Sequence, residues 1–170
     1  MEVEAMINDE HIAAELVSRY AERGLTLGTA ESCTGGLCAA AIVDVPGAST
    51  VFYGGIVSYD NSVKLHTLGV PAAILDSVGA VSAACAEAMA RGARENLGVD
   101  IAVSATGIAG PGGGTPEKPV GLVYIGCATA HGARAYEFRF GEESTRRKIR
   151  EASVLQMLRI ALSALDNDNE

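Results

Sequence analysis

Residues 25–44, LTLGTAESCTGGLCAAAIVD, contain a strand that passes directly into a helix. The stretch from Leu25 to Ala30 predicts a short strand, and the small residues from Gly36 to Asp44 predict a helix. Residues Glu31 to Gly35 form the short turn between them, and a glycine pair at 35–36 leads into the helix. A strand joined tightly to a helix is the unit from which α/β proteins are built.

The alternation of helices and strands continues through the rest of the chain. We predict helices from Asn8 to Arg23, Asn61 to Leu68, Ser82 to Leu97 and Ser144 to Leu165, and strands from Val51 to Tyr59, Ile101 to Ala105, Gly121 to Thr129 and Arg134 to Phe140. The last two strands predict a hairpin. Together the elements predict an α/β sandwich whose mixed, mostly parallel sheet is covered by helices on both faces. No repeat or composition break divides the chain, so we expect one domain over residues 1–170, with a core at about 8–165.

Composition and charge exclude several classes of function. The 170 residues include 13 Lys+Arg against 21 Asp+Glu, a net charge of −8, so we expect no direct nucleic-acid contact and no membrane partner. The four Cys form no C-x-x-C pair and the three His match no metal-ligand spacing. We therefore expect reduced thiols, no metal site and a cytoplasmic location. The acidic N-terminus does not resemble a signal peptide, and no uncharged stretch is long enough to span a membrane.

Ser32 is a candidate nucleophile because it lies where the first strand passes into a helix. The first N–H groups of a helix have no partner within the helix and carry the positive end of its dipole, so they can stabilise an anion. The alternative is a serine that only caps the helix, and the segment is not G-x-S-x-G. Cys33 is a rival nucleophile, but we expect it to point away from Ser32.

A serine nucleophile needs a base, and Lys64 is the candidate. None of the three His offers an obvious partner, whereas a lysine can act as a base if burial lowers its pKa. Tyr59 ends a predicted strand and Lys64 lies one turn inside the next helix, so their side chains could converge. The alternative is a surface lysine beside a half-buried tyrosine.

Two further segments could bind an anion. The glycine-rich stretch from Thr106 to Pro119 follows a strand and matches neither a P-loop nor G-x-G-x-x-G, but its N–H groups could form an anion-binding nest. A plain surface loop is the alternative. The cations Arg146, Arg147, Lys148 and Arg150 cluster where the last helix begins, where they oppose its dipole unless they bind an anion or pair with nearby glutamates.

These motifs occur in the order found in one known family. They are TAESCTGG at 29–36, FYGGIVSY at 52–59, Asn61 with Lys64, GAVS at 79–82, and TGIAGP at 106–111 with KPVG at 118–121. Together they resemble the CinA C-terminal domain family over roughly residues 8–165. The resemblance implies a three-layer α/β/α sandwich and nicotinamide-nucleotide amidohydrolase activity, which converts nicotinamide mononucleotide to nicotinate mononucleotide and ammonia.

The same resemblance implies a Ser-Tyr-Lys site without a cofactor or metal. The nucleophile falls on Ser32, the tyrosine on Tyr59 and the lysine on Lys64. We further assign substrate binding to Thr34, Gly35, Gly36, Asn61, Thr106, Gly107, Gly110 and, for the phosphate, Arg147. The expected partner is a small pyridine nucleotide, and the small-residue composition is compatible with a homodimer. The chain resembles the form of the family without the additional N-terminal domain. Two alternatives remain: a nucleotide- or phosphate-binding regulatory module without turnover, and a competence-associated interaction protein.

Overall fold

The computed structural model of the chain describes residues 2–167. Six α-helices, five strands and one 3₁₀ turn follow one another in this described part. In chain order they are α1 (Glu2–Arg23), β1 (Leu27–Glu31), α2 (Leu37–Val43), the 3₁₀ turn (Ala48–Thr50), β2 (Phe52–Val57), α3 (Asn61–His66), α4 (Ala72–Ser77), α5 (Ala83–Leu97), β3 (Ile101–Gly107), β4 (Leu122–Thr129), β5 (Gly132–Arg139) and α6 (Arg146–Asn167).

The strands form one sheet in the order β2-β1-β3-β4-β5. β1 pairs in parallel with both β2 and β3, whereas β4 is antiparallel to both β3 and β5. All strands except β4 therefore point the same way. The predicted α/β fold with a mixed sheet is confirmed. The predicted hairpin is β4–β5, in which Thr129 pairs with Gly132 beside the turn.

Helices cover both faces of the sheet. α1, α2 and α6 pack on one face, and α5 packs on the other. Alternate residues of β3 serve the two sides: Ile101 and Val103 join the larger apolar cluster under α1, α2 and α6, whereas Ala102 joins the smaller cluster under α5. On the α5 side the backbones approach closely, because a Cβ built on Gly126 would lie 2.2 Å from the carbonyl oxygen of Ala86.

The elements differ from the prediction at two places that bear on how the sequence is interpreted. α1 begins at Glu2 rather than at Asn8, because the preceding Glu, Ala and Met residues also favour a helix. The short helix α4 was not predicted at all. Pro71 lies at its N-cap, and the helix is too short to show an apolar period.

The parallel strands end together at one edge of the sheet. Ser32 follows β1, Ser58 follows β2 and Ile108 follows β3. The chain leaves β1 toward β2 on one side and later returns to β3 on the other, so the strand order reverses at β1. Ligands of open α/β sheets bind at such a switch point, outside the carboxyl ends of the strands. The candidate nucleophile therefore lies where this fold favours a site.

No helix in the described residues is both long enough and apolar enough to cross a membrane.

Candidate active site

The turn that carries Ser32 is held by the neighbouring strand and by its own backbone. The N–H of Ser32 donates to the carbonyl of Ala105 on β3 at 2.9 Å, and the N–H of Gly35 donates to the carbonyl of Ser32 at 3.1 Å. Gly35 and Gly36 have φ of 61° and 99°, a region that other residues rarely adopt. The predicted glycine pair is therefore needed for the shape of the turn. The N–H groups of Cys33 and Thr34 donate to no oxygen within the described residues.

Glu31 holds the same turn from the side of α2. Its buried carboxylate accepts hydrogen bonds from the N–H groups of Gly36 at 3.0 Å, Cys38 at 3.1 Å and Ala39 at 2.8 Å. A carboxylate at a helix N-terminus is favoured by the unpaired N–H groups and by the dipole. This role was not predicted from the sequence, because Glu31 lies at the end of β1, well before the N-cap Gly36 of α2.

Lys64 is buried and contacts the candidate nucleophile. Its side chain is 1% exposed, and Nζ lies 2.9 Å from Oγ of Ser32. Nζ also donates to the carbonyls of Ser58 at 2.6 Å and Tyr59 at 3.1 Å. The Asp60 carboxylate accepts from the N–H of Ser62 and so caps α3, which places Lys64 one turn inside the helix. The surface-lysine alternative is wrong.

The surroundings of Lys64 favour its neutral form. Burial lowers the pKa of Lys64, because the charged ammonium is costly to remove from water; the neighbouring Cys85, Asp60 and Cys33 oppose this shift. A neutral amine has two N–H donors and one lone pair. The two backbone carbonyls can take both donors, which leaves the lone pair for the hydroxyl proton of Ser32. This arrangement can remove a proton from Ser32.

Cys33 is not arranged as a nucleophile. It is 5% exposed and belongs to the apolar cluster below α2 and α6. Burial raises the pKa of its thiol to about 11, with a smaller contribution in the same direction from Glu31. The thiol is therefore protonated near neutral pH, whereas the thiolate is the reactive form.

Tyr59 contributes its carbonyl to Lys64 and its hydroxyl to Arg146. The side chain is 62% exposed, and its hydroxyl accepts a hydrogen bond from Nη2 of Arg146 at 2.9 Å. The structure thus brings Tyr59 to the site, but the hydroxyl contact is with α6 rather than with Ser32 or Lys64. A proton relay through this hydroxyl remains a prediction.

Three arginines at the start of α6 have different surroundings. Arg146 also donates through Nη1 to the carbonyl of Gly110 at 2.7 Å, and Arg150 donates to the carbonyls of Cys33 and Thr34. The side chain of Arg147 is 84% exposed and contacts Glu151 at 2.6 Å. The cluster that the sequence predicted therefore does reach the site, but through Arg146 and Arg150; phosphate binding by Arg147 remains a prediction.

The other predicted binding residues surround the turn or support its walls. Thr34 is fully buried, and its Oγ1 has no hydrogen-bond partner. Thr106 is buried and donates through Oγ1 to the carbonyl of Ala80 at 2.8 Å, so it holds the segment before α5. Asn61 is exposed at the first position of α3.

The predicted binding glycines Gly107, at the end of β3, and Gly110, in the loop after it, are required for different structural reasons. A Cβ on Gly107 would lie 2.6 Å from Val123, so this position admits no side chain without a shift. Gly110 has φ of 74° and presents its carbonyl to Arg146. Both glycines therefore shape the loop, and substrate contact at either one remains a prediction.

Metal ligands are not gathered in the described part of the chain. No group of three or more His, Cys, Asp or Glu side chains there is arranged to hold a metal ion.

Sites built on a serine and a lysine recur on unrelated folds, so comparison with known proteins decides the family. The model of the CinA C-terminal domain matches residues 9–165. The chain belongs to the CinA C-terminal domain family.

Individual members of the family are similar along most of this CinA domain. The CinA-like protein of Synechocystis sp. is 47% identical over 152 residues, which are 89% of this chain and 36% of that protein. The CinA-like protein of Leptospira borgpetersenii is 61% identical over 115 residues, 68% of this chain and 28% of that protein. The chain thus spans about a third of the length of these relatives.

Solved CinA structures have the same fold. The competence/damage inducible protein CihA from Agrobacterium tumefaciens is 41% identical, with a TM-score of 0.89 over 92% of this chain and 94% of that one. A CinA superfamily protein from Klebsiella pneumoniae is 28% identical, with a TM-score of 0.88 over 94% and 98% of the two chains.

Proposed function

We propose that this chain is an amidohydrolase that converts nicotinamide mononucleotide to nicotinate mononucleotide and ammonia, with Ser32 as nucleophile and Lys64 as base. The observation that carries the chemistry is the contact of 2.9 Å between Nζ of Lys64 and Oγ of Ser32 at a buried position. The family resemblance supplies the substrate. The buried lysine supports the chemistry because it has backbone carbonyls, not a carboxylate, as its other partners.

The first half of the reaction forms an ester. Neutral Lys64 takes the hydroxyl proton of Ser32, and Oγ attacks the carboxamide carbon. The N–H groups of Cys33 and Thr34 donate to no oxygen within the described residues, so they are available to hold the negative oxygen of the tetrahedral intermediate. The N–H of Gly35 is not available, because it donates to the carbonyl of Ser32. Protonated Lys64 then gives its proton to the amide nitrogen, the C–N bond breaks and ammonia leaves.

The second half returns the enzyme to its starting state. Water replaces ammonia, and neutral Lys64 takes one of its protons as the oxygen attacks the ester carbon. The C–O bond to Ser32 then breaks, Oγ recovers the proton from Lys64, and the product leaves as the carboxylic acid, which ionises in water. One amide and one water yield one acid and one ammonia.

The test is ammonia release from nicotinamide mononucleotide by the purified protein, with nicotinate mononucleotide identified by chromatography. We expect wild type to release ammonia, and Ser32→Ala and Lys64→Met each to lower kcat by at least about 1,000-fold. Cys33→Ala tests the rival thiol, and we expect it to retain release. Circular dichroism of each variant shows that it is folded.

Three results would contradict the proposal in different ways. A folded wild type that binds the nucleotide without releasing ammonia would support the regulatory-module alternative. Release that survives Ser32→Ala but not Cys33→Ala would move the nucleophile to the thiol. Loss of release on adding a chelator would require a metal that this mechanism does not use.

A further inference from the structure

Arg150 makes a two-pronged contact with the turn that carries the nucleophile. Its Nε donates to the carbonyl of Cys33 at 3.0 Å, and its Nη2 donates to the carbonyl of Thr34 at 2.9 Å. These are consecutive carbonyls directly after Ser32, and they are contacted from α6, more than a hundred positions later in the chain. The planar fork of a guanidinium fixes both acceptors at once, which an ammonium does not do.

The charge of Arg150 is directed at backbone rather than at an acid. Among the described residues, no carboxylate pairs with Arg150, although the chain carries 21 acidic residues. Its neighbour Arg147 and the earlier Arg19 and Arg91 all have acidic partners. A half-buried cation whose partners are backbone carbonyls holds those carbonyls in position.

Fixing the carbonyl of Cys33 also fixes the N–H of Thr34. The two groups belong to one planar trans peptide unit and point in opposite directions. With the guanidinium on the carbonyl side, the N–H faces the other way. The Thr34 carbonyl is likewise coupled to the N–H of Gly35, which donates back to Ser32. Hydrogen bonding to a cation also polarises a peptide unit and strengthens its N–H as a donor.

We propose that Arg150 is a positioning residue that aims and polarises the N–H of Thr34 so that it can hold the oxyanion formed at Ser32. The proposal rests on the amidohydrolase function above. Arg150 touches neither Ser32 nor the substrate in this role. It acts through the backbone of residues 33–35, whereas Glu31 holds the same turn through the N–H groups of α2.

The activity test compares Arg150→Lys, which keeps the charge but loses the fork, with Arg150→Ala. We expect kcat to fall by about 10- to 100-fold in both, below the 100- to 1,000-fold typical of deleting an oxyanion donor, because the donor is displaced rather than removed. KM should stay within about twofold. Added guanidinium ion should restore part of kcat to Arg150→Ala but none to Arg150→Lys. Arg159→Lys on an exposed turn of α6 is the matched control.

Comparing two substrates, one with a phosphate and one without, distinguishes a positioning role of Arg150 from phosphate binding. A positioning residue lowers kcat equally for nicotinamide mononucleotide and for its riboside, which lacks the phosphate. A rise in KM confined to the mononucleotide, with kcat unchanged, would overturn the proposal and make Arg150 an anion ligand. Wild-type kcat in folded Arg150→Lys would overturn it as well.

A spectroscopic test does not depend on turnover. In ¹H–¹⁵N spectra, Arg150→Lys should shift the amide signals of Thr34 and Gly35 strongly and leave β4 and β5 unchanged. Unchanged signals at these two residues would overturn the contact itself. If the signals shift but wild type hydrolyses neither substrate, the proposed function fails while the contact stands, so the two failures are distinguishable.

Discussion

The hydroxyl of Tyr59 accepts a hydrogen bond from Arg146 at 2.9 Å, while the carbonyl of the same residue accepts one from Lys64 at 3.1 Å. Tyr59 therefore links the buried Lys64 to the first residue of α6. The backbone side of this link holds the amine, and the side-chain side faces solvent. The two contacts can be separated by experiment.

Removing only the hydroxyl should spare the chemical step. Tyr59→Phe keeps the carbonyl that contacts Lys64 and loses the contact with Arg146. We expect kcat to fall by less than about tenfold. A group that transfers a proton typically contributes about 100- to 10,000-fold to the rate, and the contact of this hydroxyl with Arg146 gives it no such role. Tyr53→Phe, at an exposed tyrosine on β2, is the control for removing a surface hydroxyl. A loss of 1,000-fold in Tyr59→Phe alone would restore the hydroxyl relay.

The pH dependence of turnover should show the titration of Lys64. The protonated amine cannot accept the Ser32 proton, so kcat/KM should rise as the pH rises and level off above the pKa of Lys64. Burial lowers this pKa, so the midpoint should lie below the ordinary lysine value. A pH–rate profile of wild type measures it.

Asp60 provides a variant that moves this midpoint in a known direction. Its negative charge favours protonated Lys64 and therefore opposes the lowering of the pKa. Asp60→Asn keeps an oxygen to cap α3 and removes the charge, so the midpoint should move to lower pH. Asp76→Asn, an exposed acid on α4, should leave it in place. A rising limb that Asp60→Asn does not move would show that another group titrates.

Neutralising Glu31 should destabilise the fold. In Glu31→Gln the amide offers one acceptor oxygen to the three N–H groups of Gly36, Cys38 and Ala39 and turns a donor toward them. A buried donor left unpaired costs about 1–3 kcal/mol. For a domain of this size, Tm falls by roughly 2–4 °C for each kcal/mol. Thermal unfolding checks this, with Glu87→Gln on α5 as control; equal Tm values in the two variants would contradict the capping role.

The close approach of β4 to α5 should tolerate no methyl group. In Gly126→Ala the new Cβ would lie 2.2 Å from the carbonyl oxygen of Ala86 and 2.5 Å from Oγ of Ser104. Because the backbone of α5 must move, we expect the free energy of unfolding to fall by about 3 kcal/mol, at the upper end of ordinary overpacking. Gly112→Ala has open space and no positive φ, so urea unfolding should show little change. Similar midpoints for both variants would contradict this packing.

Much of the fold and the Ser32–Lys64 pair could be predicted from sequence, because both depend on local patterns. The passage from strand to helix at residues 25–44 and the short helix predicted from Asn61, which contains Lys64, depend on local signals. The burial of Lys64 is not local: it depends on the ends of β1 and β2 lying side by side. Which arginines of 146–150 contact the site depends on how α6 is rotated against the sheet. That rotation is set by distant packing and cannot be inferred from the segment itself.

Ser32 follows β1 and Lys64 lies on α3, whereas Arg146 and Arg150, which approach them, both belong to α6. Redesign of the proposed site can therefore begin with side chains of α6, with one restriction. Arg146 and Arg147 can be substituted without loss of a hydrogen bond to the backbone of the turn that carries Ser32. Arg150 cannot be substituted in this way, because it donates hydrogen bonds to the carbonyls of Cys33 and Thr34. The first turn of α6 can therefore be varied without moving the turn after Ser32, whereas a change at Arg150 on the second turn would move it.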